Sequence, residues 1–165
     1  LRVFLIAVAL SAVMSFCSSA VLEDSGLWIP ILVLVIFILL GIVFDMIGVA
    51  VTAADPKPFH SMAAHGEKGG REAIRLLNMS NRVSSLCNDV VGDICGIVSG
   101  STAAVIVTKL CTSFDLDSMV MSLVISALVS GLTIGGKAIG KKIAINNSTQ
   151  VVHSVSRVIH MVKRK

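Results

Sequence analysis

The feature that most constrains this chain is a run of 19 residues, 26–44, without a single charged side chain. A transmembrane α-helix needs about 20 mostly apolar residues to cross a hydrocarbon core that is about 30 Å thick. Residues 118–136 form a second uncharged run of 19, and residues 94–108 form a third of 15. The sequence therefore predicts an all-α, polytopic helical membrane bundle with three core spans.

The overall composition is typical of a chain that is embedded in a membrane. Of the 165 residues, 55% are hydrophobic and 15% are charged, whereas soluble domains are about 45–50% apolar and about 25% charged. Such a high apolar fraction also excludes intrinsic disorder. The basic residues lie between apolar runs without interleaved aromatic side chains, so no nucleic-acid partner is predicted and the lipid bilayer is the expected partner.

The N-terminal segment, residues 1–25, has two interpretations. Residues 3–22 are mostly apolar behind Arg2, which suits either a fourth membrane span or a cleavable signal-like segment with Ser18 and Ala20 as its small residues. We expect an uncleaved transmembrane helix here and a membrane domain over residues 26–165. The predicted spans are then residues 3–22, 27–54, 83–108 and 118–136.

The distribution of basic residues predicts the orientation of these spans. With four spans, all 14 Lys and Arg residues except Lys109 fall on one side of the membrane, and that side is cytoplasmic by the positive-inside rule. We therefore expect a multi-pass protein of the plasma or inner membrane with a cytoplasmic C-terminus. Juxtamembrane helices are expected at about 54–83 and 140–165. The second includes an amphipathic helix near 148–163, which as a basic helix directly after a span should lie among lipid headgroups.

Polar side chains inside the predicted spans are the strongest functional signal. No nucleophile elbow, zinc-protease motif, phosphate-binding loop or dinucleotide fingerprint is present, so we predict no enzyme and no cofactor. Ionisable groups at membrane depth are costly and are functional candidates by default. The residues concerned are Asp45, Asn88, Asp89, Asp93 and Lys137.

The second predicted span carries helix-breaking residues near its end. Proline removes a backbone donor and restricts the residue before it. We expect Gly48 and the 52–58 stretch, which contains Pro56 and Pro58, to interrupt or end this helix. The freed carbonyl groups should then point toward Asn88.

Four segments resemble the membrane domain of the cyclin-M/CorC (CorB) magnesium transporter family, and they occur in the family's order. They are FDMIGVAVTAADP at 44–56, KGGREAIRLL at 68–77, SSLCNDVVGD at 84–93 and GGKAIGKKIA at 135–144. The resemblance covers roughly residues 26–160. It implies three spans with a broken first helix, a cytoplasmic belt of juxtamembrane helices, and a homodimer.

The resemblance also implies a metal site. Members of that family hold a dehydrated magnesium ion with a serine, an asparagine and a glutamate side chain together with backbone carbonyls. By resemblance, Asp45 stands at the serine position and Asn88 at the asparagine position. Lys137 stands at the glutamate position and Gly140 at the position of a nearby proline.

Two hypotheses about function follow. The first is a cation transporter that moves magnesium or another divalent ion, or sodium, through a site at Asp45 and Asn88. The second is a structural or regulatory membrane protein that keeps the fold without transporting ions. Because a buried charge is tolerated best when it is paired, we also expect Asp45 and Lys137 to form an internal ion pair beside Asn88, with Asp89 or Asp93 completing the shell.

Overall fold

The computed structural model describes residues 8–9, 11–13, 26–114 and 117–163. Every regular element in this part of the chain is a helix, as the sequence predicts. The helices are α1 (Trp28–Ala53), α2 (Lys57–Ala64), α3 (Gly70–Asn78), α4 (Ser80–Ser85), a π-helix (Leu86–Gly92), α5 (Asp93–Phe114), α6 (Ser118–Asn146) and α7 (Ser148–Lys163).

Three helical segments are long and apolar enough to cross a membrane. They are Trp28–Ala53, Ser80–Phe114 and Ser118–Asn146. These segments are compatible with an integral membrane protein and correspond to the three predicted core spans. Helix α6 continues ten residues past the predicted end at 136, because lysine is a good helix former and Lys137 does not stop the helix. The predicted N-terminal span at 3–22 lies largely outside the described residues.

The predicted break after α1 is confirmed at the prolines but not at Gly48. Helix α1 ends at Ala53, and α2 begins with Pro56 as its N-cap and a proline in its first turn. At Gly48, in contrast, α1 is continuous, and the Thr52 hydroxyl donates to the carbonyls of Gly48 (3.4 Å) and Val49 (2.8 Å). The expectation of freed carbonyls at Gly48 is therefore wrong, because a single glycine weakens a helix by only about 1 kcal/mol.

The chain divides into two compact units. The first contains the described residues up to Ile42 together with Val90–Gly136. In this unit Val90, Ile94 and Val98 form a small buried cluster against Phe37 of α1. A Cβ atom at Gly41 would lie 3.3 Å from the Cβ atom of Cys95, so α1 and α5 approach closely at this glycine.

The second unit contains Val43–Asp89 and the described residues from Lys137 onward. Its core joins the ends of two candidate spans to the shorter helices. The buried members are Ala50 and Val51 of α1, Phe59 of α2, Ala73 of α3, Ala144 of α6 and Val152 of α7. The last turns of α1 and α6 are thereby fixed against α2, α3 and α7.

Candidate functional site

Asp45 is a buried carboxylate in an otherwise apolar helix. It is the only charged residue of α1, and its side chain is 6% exposed. Its Oδ2 atom accepts no hydrogen bond from any described residue. Burying a charged oxygen without a hydrogen bond is strongly unfavourable, so this atom is a candidate for binding a cation or a proton.

Among the described residues, Lys141 of α6 is the cation that lies beside Asp45. Its Nζ atom lies 3.6 Å from Asp45 Oδ2, and its side chain is 50% exposed. A charge-assisted hydrogen bond between nitrogen and oxygen is about 2.7–2.9 Å long. Lys141 thus neutralises the charge of Asp45 without satisfying its Oδ2 atom.

The predicted ion pair between Asp45 and Lys137 is wrong. Lys137 is half-buried and forms no ion pair within the described part of the chain, where Lys141 takes that role. The two lysines are four residues apart and therefore share a face of α6. Helical periodicity indicates the correct face but cannot indicate which turn of α6 lies beside Asp45.

Asn88 lies in the middle of the π-helix and packs against α1. Its Nδ2 atom donates a hydrogen bond to the Ser84 hydroxyl at 3.3 Å, while its Oδ1 atom is buried and has no hydrogen-bond partner among the described residues. A Cβ atom at Gly48 would overlap Oδ1 and would lie 2.9 Å from Cγ. The absence of a side chain at Gly48 therefore allows the amide of Asn88 to reach α1.

These residues form one group, which we name the Asp45 cluster: Asp45, Gly48, Asn88 and Lys141. Gly48 follows Asp45 by three residues, so α1 presents the carboxylate and the Asn88 contact on neighbouring turns of one face. Carboxylate and amide oxygens are ligands of hard cations such as magnesium. A π-helical turn inside an α-helix often marks a functional site. The cluster therefore combines two oxygen atoms that lack hydrogen-bond partners with the ammonium group of Lys141.

Asp89 and Asp93 differ from Asp45 because both are exposed. The structure accordingly provides no support for either of them as the third carboxylate of the shell. No group of three or more His, Cys, Asp or Glu side chains that could hold a metal occurs in the described ranges. Any metal bound at the Asp45 cluster would need water or backbone oxygens to complete its coordination.

Sequence reasoning did not identify the roles of Lys141, Gly48 and Ser84. Lys141 lies within the 135–144 segment, four residues after Lys137, and Ser84 lies four residues before Asn88. Their spacing was therefore visible in the sequence. The sequence predicted that the backbone near Gly48 faces Asn88, but only the structure shows that the missing side chain of Gly48 makes room for the Asn88 amide.

Comparison of the chain with protein-family models, with curated proteins and with solved structures returned no match.

Proposed function

We propose that this chain is an integral membrane protein with a transporter-like domain that binds magnesium or another divalent cation at the Asp45 cluster. The observation that carries the proposal is the pair of buried oxygens, Asp45 Oδ2 and Asn88 Oδ1, neither of which has a hydrogen-bond partner among the described residues. Most buried polar side-chain atoms in proteins are hydrogen-bonded. A cation that uses both oxygens as ligands would remove the penalty on each of them.

Lys141 determines when such a cation can enter. While its ammonium group stays beside Asp45, the pair carries no net charge, and a divalent ion about 4 Å from the ammonium would be repelled by about 8 kcal/mol at an effective dielectric constant of 20. The side chain of Lys141 is half exposed, so it can turn outward and keep its charge in water. Cation binding should therefore displace Lys141 from Asp45.

The test is magnesium flux into vesicles that contain the purified protein and a trapped magnesium-sensitive dye. D45N removes the charge and keeps the shape of the side chain. We expect it to lower the flux by at least about tenfold, because even partners outside the ligand shell of a metal contribute about 10–100-fold. D55N is the matched control, since Asp55 is exposed and its Oδ1 atom accepts a hydrogen bond from the backbone N–H of Lys57 at 2.9 Å. Equal flux in wild type and D45N would contradict the proposal.

A non-transporting structural or regulatory protein is the second candidate, and the Lys141–Asp45 ion pair favours it. A permanent ammonium group at the site would stabilise the bundle and exclude other cations. The same vesicles separate the two candidates by comparing K141Q with K142Q, because Lys142 is the exposed neighbouring residue. An inactive wild type and an inactive K141Q would support the second candidate. Flux that appears only in K141Q would show a competent site that the lysine blocks.

The homodimer implied by the family resemblance stays a prediction. It is supported by α6, because none of the 18 residues of its most apolar window is buried. No described residue lies within 4 Å of a Cβ atom built on Gly131 or Gly135. Small residues four positions apart allow transmembrane helices to pack closely, so this part of α6 is available to a second copy of the chain.

A further inference from the structure

Helix α7 exposes apolar side chains although another of its faces is buried in the protein. Val152 and Ser156 are fully buried on the side of α7 that packs against the rest of the second unit. On another side, Val158, Met161 and Val162 are 56%, 57% and 72% exposed, and we name these three residues the apolar stripe. A contiguous exposed apolar surface of this kind usually marks an interaction site.

A groove of about 390 Å³ lies beside α7 on the side that leads to the apolar stripe. Its apolar lining includes Val43 of α1, Ile143 of α6, and Val151 and Val155 of α7, while Asn147 and Gln150 contribute polar groups. Val151 and Val155 continue along one side of α7 to Val158 and Val162 with spacings of four, three and four residues. The groove and the apolar stripe therefore form one continuous apolar surface with polar groups at one end.

The position of α7 in the chain indicates what covers this surface. Only Asn147 separates α7 from α6, which is a candidate membrane span. The uncharged run of α6 ends at Gly136, and the ten helical residues that follow it, 137–146, rise by about 15 Å. If that run crosses the bilayer, α7 begins close to the membrane surface. Val43, which lines the groove, lies at the end of the uncharged run of the candidate span α1, so acyl chains can reach that side of the groove.

The charge of the second unit indicates which lipids it meets. Residues 43–89 and 137–165 contain twelve Lys or Arg and five Asp or Glu, a formal net charge of +7. Arg157 of α7 is exposed immediately before the apolar stripe. Basic segments next to a span are attracted to anionic headgroups.

We propose that α7 is an in-plane anchor that lies in the headgroup layer of an anionic leaflet. The apolar stripe enters the boundary of the acyl region, the groove holds a phospholipid acyl chain, and Arg157 meets the anionic headgroups. This inference rests on the membrane insertion proposed above and is independent of cation binding at the Asp45 cluster.

Quenching of tryptophan fluorescence by brominated lipids tests the position of α7. The chain has a single tryptophan, Trp28, so W28F provides a background without tryptophan emission. In this background V158W and V162W place a reporter on the apolar stripe, where the exposed positions accommodate the larger ring. H153W is the control on the opposite side of the helix, because His153 lies five residues before Val158 and nine before Val162. In vesicles of equal parts phosphatidylcholine and phosphatidylglycerol, brominated near the headgroup, we expect V158W and V162W to lose most of their emission and H153W to lose much less.

A fourth reporter, L123W on exposed α6, measures membrane insertion by itself. If lipids brominated deep in the acyl chain quench L123W while V158W and V162W are quenched no more than H153W, the anchor is overturned and membrane insertion stands. If L123W is not quenched by any lipid, membrane insertion fails and the anchor fails with it. We expect the quenching of V158W to decrease in pure phosphatidylcholine, and unchanged quenching would overturn the selection of anionic headgroups.

Discussion

At the scale of single residues, Gly48 is as important to the candidate site as the residues that carry polar groups. Asp45 and Asn88 supply the two unsatisfied oxygens, but the amide of Asn88 reaches α1 only because Gly48 has no side chain. A polar residue inside an apolar span is easy to recognise in a sequence. Gly48, which leaves room for the Asn88 amide, looks in a sequence like any other small residue of a candidate span.

We predict that G48A disrupts the Asp45 cluster. Its Cβ atom would overlap the Asn88 amide, and overpacking of this kind costs typically about 1–3 kcal/mol. Gly100 provides the control, because nothing in the described part of the chain lies within 4 Å of a Cβ atom built there. Alanine should stabilise that helix by roughly 0.5–1 kcal/mol. The midpoint of thermal unfolding in detergent should therefore fall for G48A and rise or stay unchanged for G100A. A G48A variant as stable as G100A would show that Asn88 does not pack on α1 as described.

At the scale of helices, the contact between α3 and α7 fixes the juxtamembrane part of the second unit. Gly69, the N-cap of α3, has a left-handed backbone with a φ of 93°, and a Cβ atom there would lie 3.0 Å from both the backbone nitrogen of Arg157 and the Ser156 hydroxyl. His160 Nδ1 lies 3.2 Å from Glu72 Oε1 and joins the same two helices by side chains. The orientation of α7 thus depends on this close backbone approach and this polar contact, in addition to the apolar core that Ala73 and Val152 share.

Gly66 and Gly69 both have left-handed backbones. Alanine substitutions at the two positions therefore separate the cost of losing the α3–α7 contact from the cost of backbone strain. Gly66 has a φ of 71°, and no described residue lies within 4 Å of a Cβ atom built on it, so only backbone strain opposes a side chain there. A left-handed backbone costs roughly 1–2 kcal/mol in a residue with a side chain, so G66A should lose about that much stability. G69A should lose clearly more, because its Cβ atom also meets the backbone of α7. Thermal unfolding of the two variants measures the difference, and equal losses would mean that α3 and α7 are not packed at Gly69.

The sequence predicted the helices well and the cluster only in part, for identifiable reasons. Uncharged runs and prolines act locally, so the three candidate spans, the end of α1 and the amphipathic α7 agree with prediction. The contact between Asp45 and Lys141 depends on the axial position of α6 relative to α1. No local sequence pattern encodes that position. The π-helix around Asn88 likewise depends on packing, because its sequence has no signal that distinguishes it from an ordinary helical turn.

At the scale of the whole molecule, charge is distributed unequally between the two units. The second unit carries a formal net charge of +7, and the remaining two basic and five acidic residues give the first unit −3. This asymmetry is what the positive-inside rule requires if the second unit faces the cytoplasm. The orientation stays a prediction, and it agrees with both the proposed cation site and the proposed anchor in placing the basic helices next to the cytoplasmic leaflet.

The central claim is that Asp45 and Asn88 bind a divalent cation, and calorimetric titration of the purified protein with magnesium tests it most directly. We predict that wild type binds magnesium, that D45N does not, and that D55N binds as wild type does. K141Q should bind more tightly than wild type, because the competing ammonium group is removed from Asp45. Binding of equal affinity in wild type and D45N, or no binding in either wild type or K141Q, would contradict the account.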